Sequence, residues 1–541
     1  MNKIYKYGLL ILLIISIAVN LNLIKEKEAV TFAYTWSDPA TITKVTEENR
    51  EQIYNTPIDN DTTETYNPNS RNFQSMASIE VTGNRIWAAW TIGGDKEPHP
   101  DNYIALAYSD DKGATWIDPF IIIDHRDSLN IGIKVCVPNL WLSPQGELWC
   151  FYVQAGTCAI VITNPEAAPQ EIQWTAPRYI INTFGAQKIP TVITDDYGRE
   201  EWLICAENGT TEGGAYLQKT SVYSSVDQGK TWNRKSEAIS SASSKRFHES
   251  QIVELKDRNL WMLSRIEQGS GGGVEQSFSY DRGITWTDYA ANLESPLISP
   301  GSKFHIIRLP SGNLLWITNL STTTRTNLMA FLSVDDGKTW EHSLMIDDRT
   351  VIAYPDAGID DQGNIYVIYD RNRSVQQEIR MSVFNESDII AGEFVSNVAK
   401  NRVLISKNHD YKELVSLKTQ FQKRMEVSIG TASSSFLKDL PISIIAVDED
   451  NQEYTLTGTW GTLNYNKNVE GVYKFVFNTT LPEKVEDARD LLSVNIKVVK
   501  ETKTPAIGCA TIKFDNFMMI FALFGATLLG LSYIKRRKFA L

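Results

Sequence analysis

The sequence contains little cysteine and no excess of basic charge. Its 541 residues include 5 cysteines, which have no metal-ligand spacing and are too sparse for a disulfide scaffold. A disulfide between two of Cys136, Cys150 and Cys158 is possible, because these residues are close in sequence. There are 53 lysines and arginines against 65 aspartates and glutamates, which gives a net charge of −12. This balance argues against a nucleic-acid partner, since phosphate-backbone binding needs clustered basic residues.

Long apolar runs stand out at the two ends of the chain. Residues 8–24 follow Lys3 and Lys6 and are typical of a secretory signal or an uncleaved signal anchor. Residues 517–534 just reach the length of a membrane-spanning helix, and the basic cluster 535–538 follows them. These ends predict a cell-surface protein whose body is extracellular and whose C-terminal helix lies in the membrane.

The body of the chain is rich in aromatic residues and glycine. Hydrophobic residues make up 42% of the sequence, which is enough for a large core, and there are 14 tryptophans, 22 tyrosines and 32 glycines. This composition favours many short strands joined by tight turns. We expect most of the aromatic rings to pack in a β core, although exposed rings would also suit stacking on sugars.

One motif, Ser-x-Asp-x-Gly-x-Thr-Trp, occurs four times. Its copies span 109–116, 225–232, 279–286 and 333–340, and Gln173-Trp174 lies where a degenerate fifth copy is expected. In each copy a strand ends at Ser, an Asp-x-Gly turn supplies side-chain acceptors and a positive φ, and Trp anchors the return strand. The tryptophans recur about every 55 residues, a period that indicates a solenoid or a propeller.

A second series of turn signals recurs once per repeat. Each turn precedes a strand-like apolar run, and the turns are Gly83-Asn84, Gln145-Gly146, Tyr197-Gly198, Asp257–Asn259, Ser311-Gly312 and Gln362-Gly363. Six hairpins spaced about one blade apart predict an all-β fold with six blades of four strands.

The four motif copies resemble the Asp boxes, or BNR repeats, of the sialidase (neuraminidase) superfamily of six-bladed β-propellers. The resemblance implies that the boxes are turns on the blade edges, away from the central site. It also implies a retaining exo-glycosidase that acts on glycan substrates, has a tyrosine nucleophile activated by a glutamate, and needs no cofactor. The substrate's carboxylate would be held by arginines from different blades.

Residues 246–265 resemble the family segment that carries the glutamate and the second arginine. The match makes Glu249 the candidate base and Arg265 a candidate carboxylate ligand. Glu249 begins one strand and Arg265 ends the next, so the hairpin at Asp257 is expected to bring both to the same rim.

Two later segments resemble the parts of the family pattern with the third arginine and the nucleophile. In residues 319–340, Arg325 stands just before a strand and its Asp box, where the family has the arginine. In residues 353–373, Tyr354 takes the position of the nucleophile.

The first arginine of the family pattern is missing. Gln74 stands in its place and is by position a substrate-binding candidate, whereas Arg71 is nearby but out of register. The family also tends to have a glutamate that supports this arginine, and here Asp370 follows Tyr369. A clamp of two arginines is weaker, since each charged hydrogen bond contributes about 1.5–3 kcal/mol.

The acid/base residue is expected on the loop of residues 93–102, which matches the family's mobile loop in position. We assign Asp95 to this role, with Asp101 as the alternative and a candidate substrate ligand. Glu97 or His99 could do the same chemistry.

Residues 405–500 alternate apolar and polar positions and contain no Asp box. They resemble bacterial Ig-like domains, with Trp460 and the step Gly471–Tyr473 carrying the likeness. This domain would be a spacer between enzyme and membrane, or else a carbohydrate-binding module.

The sequence therefore predicts a membrane-anchored exo-glycosidase that removes terminal sialic acid or a related acidic sugar. Two alternatives stay open: an enzyme acting on uronic-acid polysaccharides, and a non-catalytic glycan-binding or adhesion propeller. The expected organisation is a signal or anchor in 1–30, a linker in 31–69, the propeller in 70–400, the Ig-like domain in 401–505, and the membrane anchor with its basic tail in 506–541.

Overall fold

The described part of the protein is almost entirely β-structure. The computed structural model describes residues 39–58, 64–125, 135–154, 156–181, 190–212, 215–239, 247–266, 273–290, 295–462 and 464–500. Its α-helices are short and span Arg50–Tyr54, Glu386–Ala391 and Ser434–Leu437. No helix in these ranges is long and apolar enough to cross a membrane. The predicted signal segment and C-terminal membrane helix lie outside the described residues.

Six antiparallel sheets follow one another along the chain from residue 41 to residue 406. The first contains β1 (Thr41–Lys44), β2 (Gln74–Thr82), β3 (Arg85–Ile92), β4 (Tyr103–Ser109) and β5 (Ile117–Asp124). The second contains β6 (Cys136–Leu142), β7 (Leu148–Val153), β8 (Thr157–Ile162) and β9 (Arg178–Ile181). The third contains β10 (Thr191–Thr194), β11 (Glu200–Glu212), β12 (Ala215–Ser225) and β13 (Asn233–Ile239).

The remaining three sheets have the same meander order. The fourth contains β14 (Phe247–Glu254), β15 (Leu260–Ile266) and β16 (Val274–Ser279). The fifth contains β17 (His305–Arg308), β18 (Leu314–Asn319), β19 (Thr326–Ser333) and β20 (His342–Thr350). The sixth contains β21 (Ile352–Ile359), β22 (Ile365–Arg371), β23 (Glu378–Phe384) and β24 (Lys400–Ser406).

Apart from β1, each sheet begins with a hairpin, and all six predicted hairpins are present. The strand that begins each hairpin is called the first strand of its sheet: β2, β6, β10, β14, β17 and β21. Five of the turns contain a glycine with positive φ, as at Gly83 (+54°) and Gly146 (+79°). The fourth turn has no glycine, and Arg258 adopts the left-handed conformation there at +69°.

The first strands of the sheets contact one another, so the last sheet returns to the first. In the first sheet, the Ser78 hydroxyl donates to Asp356 Oδ2 in the sixth sheet at 2.5 Å and accepts the Leu140 N–H from the second at 2.8 Å. Gln251 in the fourth sheet bonds likewise to the backbone of Ile306 in the fifth. This arrangement is consistent with the predicted six-bladed β-propeller.

Large apolar side chains fill the spaces between neighbouring sheets. Between the second and third sheets, the rings of Trp141 and Trp202 meet edge to face with centroids 4.7 Å apart, and Trp149 lies beside them. Many of the aromatic residues are therefore core residues, as expected from composition. The four described cysteines are buried, and no disulfide joins Cys150 to Cys158.

The four Asp boxes are turns closed by the same hydrogen bonds, as predicted. In the first copy, Ser109 Oγ accepts the Gly113 N–H at 2.8 Å and donates to Asp111 Oδ1 at 2.8 Å. Thr115 gives its N–H and its hydroxyl to the two Asp111 oxygens at 2.8 and 2.6 Å. The other three copies have equivalent bonds. At the degenerate position, the backbone of Trp174 pairs with Ile162 in an isolated bridge, and Lys44 Nζ lies over the Trp174 ring.

The segment predicted as a linker contains regular structure in its described residues. Residues 41–44 add a fifth strand to the first sheet beside β5, and Arg50–Tyr54 is helical. Val45 and Ile58 are buried, and the Tyr66 hydroxyl donates to Asp124. The strand is too short and too polar to show an alternating pattern in the sequence.

Residues 407–500 contain two further four-stranded sheets. One has the order β28 (Glu453–Thr457), β27 (Ser443–Asp448), β25 (Lys412–Leu417) and β31 (Val485–Glu486), and it belongs to the same compact unit as the six sheets. The other has the order β26 (Arg424–Ser428), β32 (Ser493–Val499), β30 (Gly471–Asn478) and β29 (Thr459–Gly461), and it forms a second unit. The Ig-like identity of this region stays a prediction.

Candidate functional site

Four of the six first strands share an irregularity near their first residues. In β2, β6, β14 and β21 the pairing with the second strand of the sheet shifts register. At each shift one non-glycine residue has a positive φ, between +55° and +56°: Met76, Val137, Glu249 and Tyr354. Such conformations cost about 1–3 kcal/mol each and concentrate at functional sites.

The bulges bring residues of three sheets together at one end of the first strands. Met76, Cys136, Val137, Val153, Ala353 and Tyr354 form one buried apolar cluster. Tyr354 is 5% exposed, and its backbone N–H donates to the Ser302 hydroxyl at 3.2 Å. The cluster thus presents the Tyr354 ring with an apolar wall on one side.

Glu249 and Arg265 meet as the hairpin prediction requires. Residues 248 and 265 are paired across β14 and β15, and Arg265 Nη1 lies 2.5 Å from Glu249 Oε2. The same nitrogen donates to the Tyr354 hydroxyl at 2.8 Å. Arg265 therefore joins the candidate base to the candidate nucleophile, and all three side chains are buried.

Electrostatic effects on the Tyr354 phenol oppose one another. Burial raises its pKa above the ordinary value and the charge of Glu249 adds to this, whereas Arg265, Arg373 and Arg325 act to lower it. The net direction is upward. The phenol is therefore protonated at neutral pH, and nucleophilic attack would need a base to take its proton.

Arg325 lies beside the same ring. Its guanidinium carbon is 5.4 Å from the Tyr354 ring centre, and Nη2 donates to the Gly301 carbonyl at 3.0 Å. Within the described ranges it contacts no carboxylate, and its Nε is buried without a partner. Burial and the neighbouring charge of Arg373 lower the pKa of Arg325, so an incoming anion would relieve an unfavourable environment.

A third arginine at this site was missed in the sequence. The guanidinium carbon of Arg373 is 4.3 Å from the Tyr354 ring centre, and Asp370 holds the group through two contacts of 3.0 Å. The sequence feature that could have revealed Arg373 is the spacing Asp-x-x-Arg, which begins at the end of the strand after the nucleophile position. The three guanidinium groups carry one positive charge more than Glu249 and Asp370, the two carboxylates that pair with them.

Gln74 belongs to the scaffold beside the site. Its side chain is fully buried, and its Oε1 accepts from Trp90 Nε1 at 2.8 Å and from the Ser406 hydroxyl at 2.9 Å. Its Nε2 donates to the Gln377 carbonyl at 3.0 Å. Because these partners occupy the amide, the structure does not support the prediction that Gln74 binds substrate.

Arg71 is likewise committed elsewhere. It makes a two-bond contact with Asp118 at 2.7 and 2.9 Å, and its guanidinium lies over the Trp90 ring. Arg71 therefore does not replace the guanidinium that is missing at position 74.

In the loop of residues 93–102, the two predicted aspartates lie beside His99. The Asp95 side chain is 79% exposed and lies 4.0 Å from His99 Nε2. The Asp101 carboxylate lies 3.4 Å from His99 Nδ1. Glu97 is the loop carboxylate whose charge acts on Arg373. Asp95 and Asp101 stay predictions, because acid/base contacts often form only with substrate bound.

Beneath Tyr354 lies a buried polar cluster centred on Asp356. Asp356 Oδ1 is 3.0 Å from His305 Nδ1 and 3.9 Å from Lys303 Nζ, and Oδ2 accepts from Ser78. In the described part of the chain, no group of three or more His, Cys, Asp or Glu residues is arranged to hold a metal ion. The cluster instead links the first strands of several sheets.

A cavity of about 280 Å³ lies at the opposite ends of the same strands. Glu80, Leu142, Ile307 and Gly358 are among its lining residues. It contains none of the residues around Tyr354, and we place the candidate site at the bulged end because the guanidinium cluster is there.

One family profile and several solved structures are similar to this chain. The profile of the BNR repeat-like domain matches residues 84–367, which is more than half of the chain. A Hadza microbial sialidase is 16% identical, with 60% of this chain and 68% of that chain covered and a TM-score of 0.46. The intramolecular trans-sialidase of Ruminococcus gnavus is 13% identical, and the match covers 60% of this chain and 96% of that chain with a TM-score of 0.46.

An α-L-arabinofuranosidase of Fusarium graminearum is also similar, at 13% identity, with 58% and 94% covered and a TM-score of 0.39. The search of curated proteins returned no match. The family profile spans the chain from the first hairpin to the sixth and includes all four Asp boxes. The chain therefore belongs to the BNR repeat-like domain family.

Proposed function

We propose that the protein is a retaining exo-glycosidase that removes terminal sialic acid, or a related acidic sugar, from glycoconjugates. The observation that carries the proposal is the Tyr354 phenol, which is surrounded by three guanidinium groups and linked through Arg265 to the buried carboxylate of Glu249. Cationic groups around a hydroxyl nucleophile suit a substrate whose reacting carbon bears a carboxylate.

In the first step the Tyr354 oxygen attacks the anomeric carbon while Glu249 accepts the phenol proton. The bond to the aglycone oxygen breaks, and an acid on the loop 93–102 gives that oxygen a proton. We assign the acid to Asp95, with Glu97 and Asp101 as the competing carboxylates. Water then attacks the anomeric carbon from the face opposite the Tyr354 oxygen. The loop carboxylate takes a proton from the water, the bond between the sugar and Tyr354 breaks, and Glu249 returns a proton to the phenolate. Two inversions give retention of configuration.

Tyrosine suits this position because its neutral side chain approaches an anionic sugar without repulsion, whereas a carboxylate nucleophile would be repelled. Arg265 and Arg325 would bind the substrate carboxylate. The buried, partnerless Nε of each is consistent with donors that are not fully used by the protein itself.

A second candidate substrate class is uronic-acid polysaccharide. The observation that favours it is the side chain of Gln74, which occupies the position of the family's first arginine and is bound entirely within the scaffold. The site therefore departs from the family pattern in the part that recognises the carboxylate.

We also propose, from sequence alone, that the enzyme body is displayed outside the cell and anchored by residues 517–534. The region 401–505 would then be an Ig-like spacer that holds the propeller away from the membrane.

The test is a hydrolysis panel of sialosides, uronides and neutral glycosides, measured on the wild type and on Tyr354→Phe. We expect turnover of the sialosides and a loss of at least about 1,000-fold in Tyr354→Phe, since an unactivated water must replace the nucleophile. Uronide turnover alone would select the second class. Glycan binding without hydrolysis that survives Tyr354→Phe would identify a non-catalytic propeller, and unchanged sialoside turnover in the variant would overturn the mechanism.

A further inference from the structure

Arg373 is the arginine closest to the Tyr354 ring, although it lies outside the family pattern. Its guanidinium carbon is 4.3 Å from the ring centre, compared with 5.4 Å for Arg325 and 5.7 Å for Arg265. It follows β22 in the sixth sheet, on the chain segment that continues from the proposed nucleophile.

The Arg373 guanidinium is held in one orientation by a buried carboxylate. Nε and Nη2 donate to the two oxygens of Asp370 at 3.0 Å each, and Asp370 is fully buried. Asp370 Oδ2 also accepts the Met76 N–H at 2.8 Å, which fixes it to the bulge of β2. Arg373 Nη1 makes no hydrogen bond with any described residue, and the side chain is 18% exposed, so this edge of the fork is open to a ligand.

Arg373 also lies directly beside the position where the first arginine is missing. Its carbonyl accepts the backbone N–H of Gln74 at 3.0 Å. The loop after β22 therefore places a guanidinium next to the strand end that lacks one, while the Gln74 side chain turns into the scaffold.

We propose that Arg373 supplies the third guanidinium of the carboxylate-binding set, in place of the missing arginine of the first strand, and that Asp370 positions it. The inference rests on the proposed function and deepens it. It assigns recognition of the substrate carboxylate to Arg265, Arg325 and Arg373 together, and it makes a carboxylate-bearing glycone the expected substrate class.

The charges around the site support this assignment. Burial disfavours the charge of Arg373, but Asp370 and Tyr354 raise its pKa, so the group is cationic whether or not a ligand is present. Arg325, in contrast, has a lowered pKa, first from burial and then from Arg373. A monoanionic ligand between these two groups would offset their repulsion.

The experiment compares an aryl α-sialoside with its methyl ester, which removes the negative charge and keeps the sugar. It uses the full chain and the variants Arg373→Gln, Arg373→Lys and Asp370→Asn. Arg371→Lys is the matched control, because Arg371 is two residues away and pairs with Glu378 and Glu486.

In the wild type we expect the free acid to be preferred over the ester. In Arg373→Gln the KM for the free acid should rise about 10- to 100-fold with kcat changed only a few-fold, because one charged hydrogen-bonding group is lost. The ester should be little affected, so the preference should shrink by the same factor. Arg373→Lys should recover part of this preference for the free acid. Asp370→Asn should reduce the preference about 10-fold, because the Arg373 guanidinium is then no longer held in one orientation. Arg371→Lys should keep the wild-type preference.

An unchanged preference for the free acid in folded Arg373→Gln would overturn the inference even if the wild type is an active sialidase. If the wild type hydrolyses nothing, the same ratio is measured as the affinity for N-acetylneuraminate against its methyl ester by calorimetry. Binding that weakens in Arg373→Gln would then support the carboxylate site without the enzyme. Absence of both binding and hydrolysis in the wild type would contradict both proposals.

Discussion

The Asp-box turns and the bulged ends of the first strands are both repeated features of this propeller, but they are built differently. Each Asp box closes its hydrogen bonds within eight consecutive residues, as in 109–116, and every copy repeats the same bonds. The bulges repeat only a backbone conformation, and the side chains that they present differ: Met76, Val137, Glu249 and Tyr354.

This difference separates stability from chemistry. The Ser, Asp, Gly and Thr residues of each Asp box bond to one another, so these groups are already used within the turn. The bulged ends contain buried guanidinium groups whose donors are only partly used. The side chains of two strained residues, Met76 and Val137, share one buried cluster with a third, Tyr354. Variants at the bulges should therefore change catalysis, whereas variants at the boxes should change stability.

The largest effect is expected for Glu249→Gln. The side chain keeps its size but cannot accept the phenol proton, so kcat should fall about 100- to 10,000-fold on an aryl sialoside. Glu254→Gln, at the far end of the same strand, pairs with Arg282 at the surface and should leave kcat unchanged. Equal losses in the two variants would show that the strand, and not the base, was disturbed.

Variants in the loop 93–102 should lose more activity on substrates with a poor leaving group than on substrates with a good one. Asp95→Asn should lose about 100-fold on a sialyl-oligosaccharide, whose leaving oxygen needs a proton, and less than about 10-fold on an aryl sialoside. Glu97→Gln and Asp101→Asn are measured alongside. If Glu97→Gln alone shows this pattern, the assignment of the acid passes to Glu97. Insensitivity of all three variants to the leaving group would exclude this loop as the source of the proton.

Among the Asp-box glycines, Gly229→Ala should lower the stability of the protein the most. Its φ is +75°, and the new Cβ would lie 2.6 Å from Trp149 and 2.9 Å from Trp202. We expect the free energy of unfolding to fall by about 2–4 kcal/mol, with kcat retained in the folded protein. Gly198 also has a positive φ, but an added Cβ there would meet no other atom. Gly198→Ala should therefore lower the free energy of unfolding by only about 1–2 kcal/mol. Denaturant unfolding of both variants measures the difference, and equal losses would mean that tryptophan packing adds nothing.

The smallest effect is a pH dependence at the fourth box. Hydrogen bonds from Thr339 and Ser333 lower the pKa of Asp335 to about 2, against an ordinary 3.8. A lowered folded-state pKa stabilises the protein above the unfolded pKa, and this contribution disappears as the pH falls from about 4 to about 2. Because the site is near the surface, Asp335→Asn should cost less than about 1 kcal/mol at pH 7. Thermal unfolding at pH 7 and pH 3 should show the gap between variant and wild type closing, and a gap that widens in acid would contradict the assignment.

The same contrast explains what could be predicted from the sequence. The boxes and hairpins are local, so turn chemistry and spacing were sufficient. The meeting of Glu249 with Arg265 was also predictable, because a hairpin pairs residues at fixed register. Arg373 was not, because its place beside Gln74 depends on the return of the sixth sheet to the first. The contacts of the Gln74 side chain could not be predicted for the same reason: its partners Trp90, Ser406 and Gln377 converge only in the folded protein.

The most direct test of the central claim is to trap the sugar on the protein. The wild type is incubated with a fluorinated sialosyl fluoride, which forms the covalent intermediate faster than it is hydrolysed, and the peptides are then mapped by mass spectrometry. We predict one sugar bound to the peptide that contains Tyr354, and none in Tyr354→Phe. Labelling of Glu249 or of the 93–102 loop instead, or hydrolysis of the reagent without any adduct in the wild type, would contradict the account.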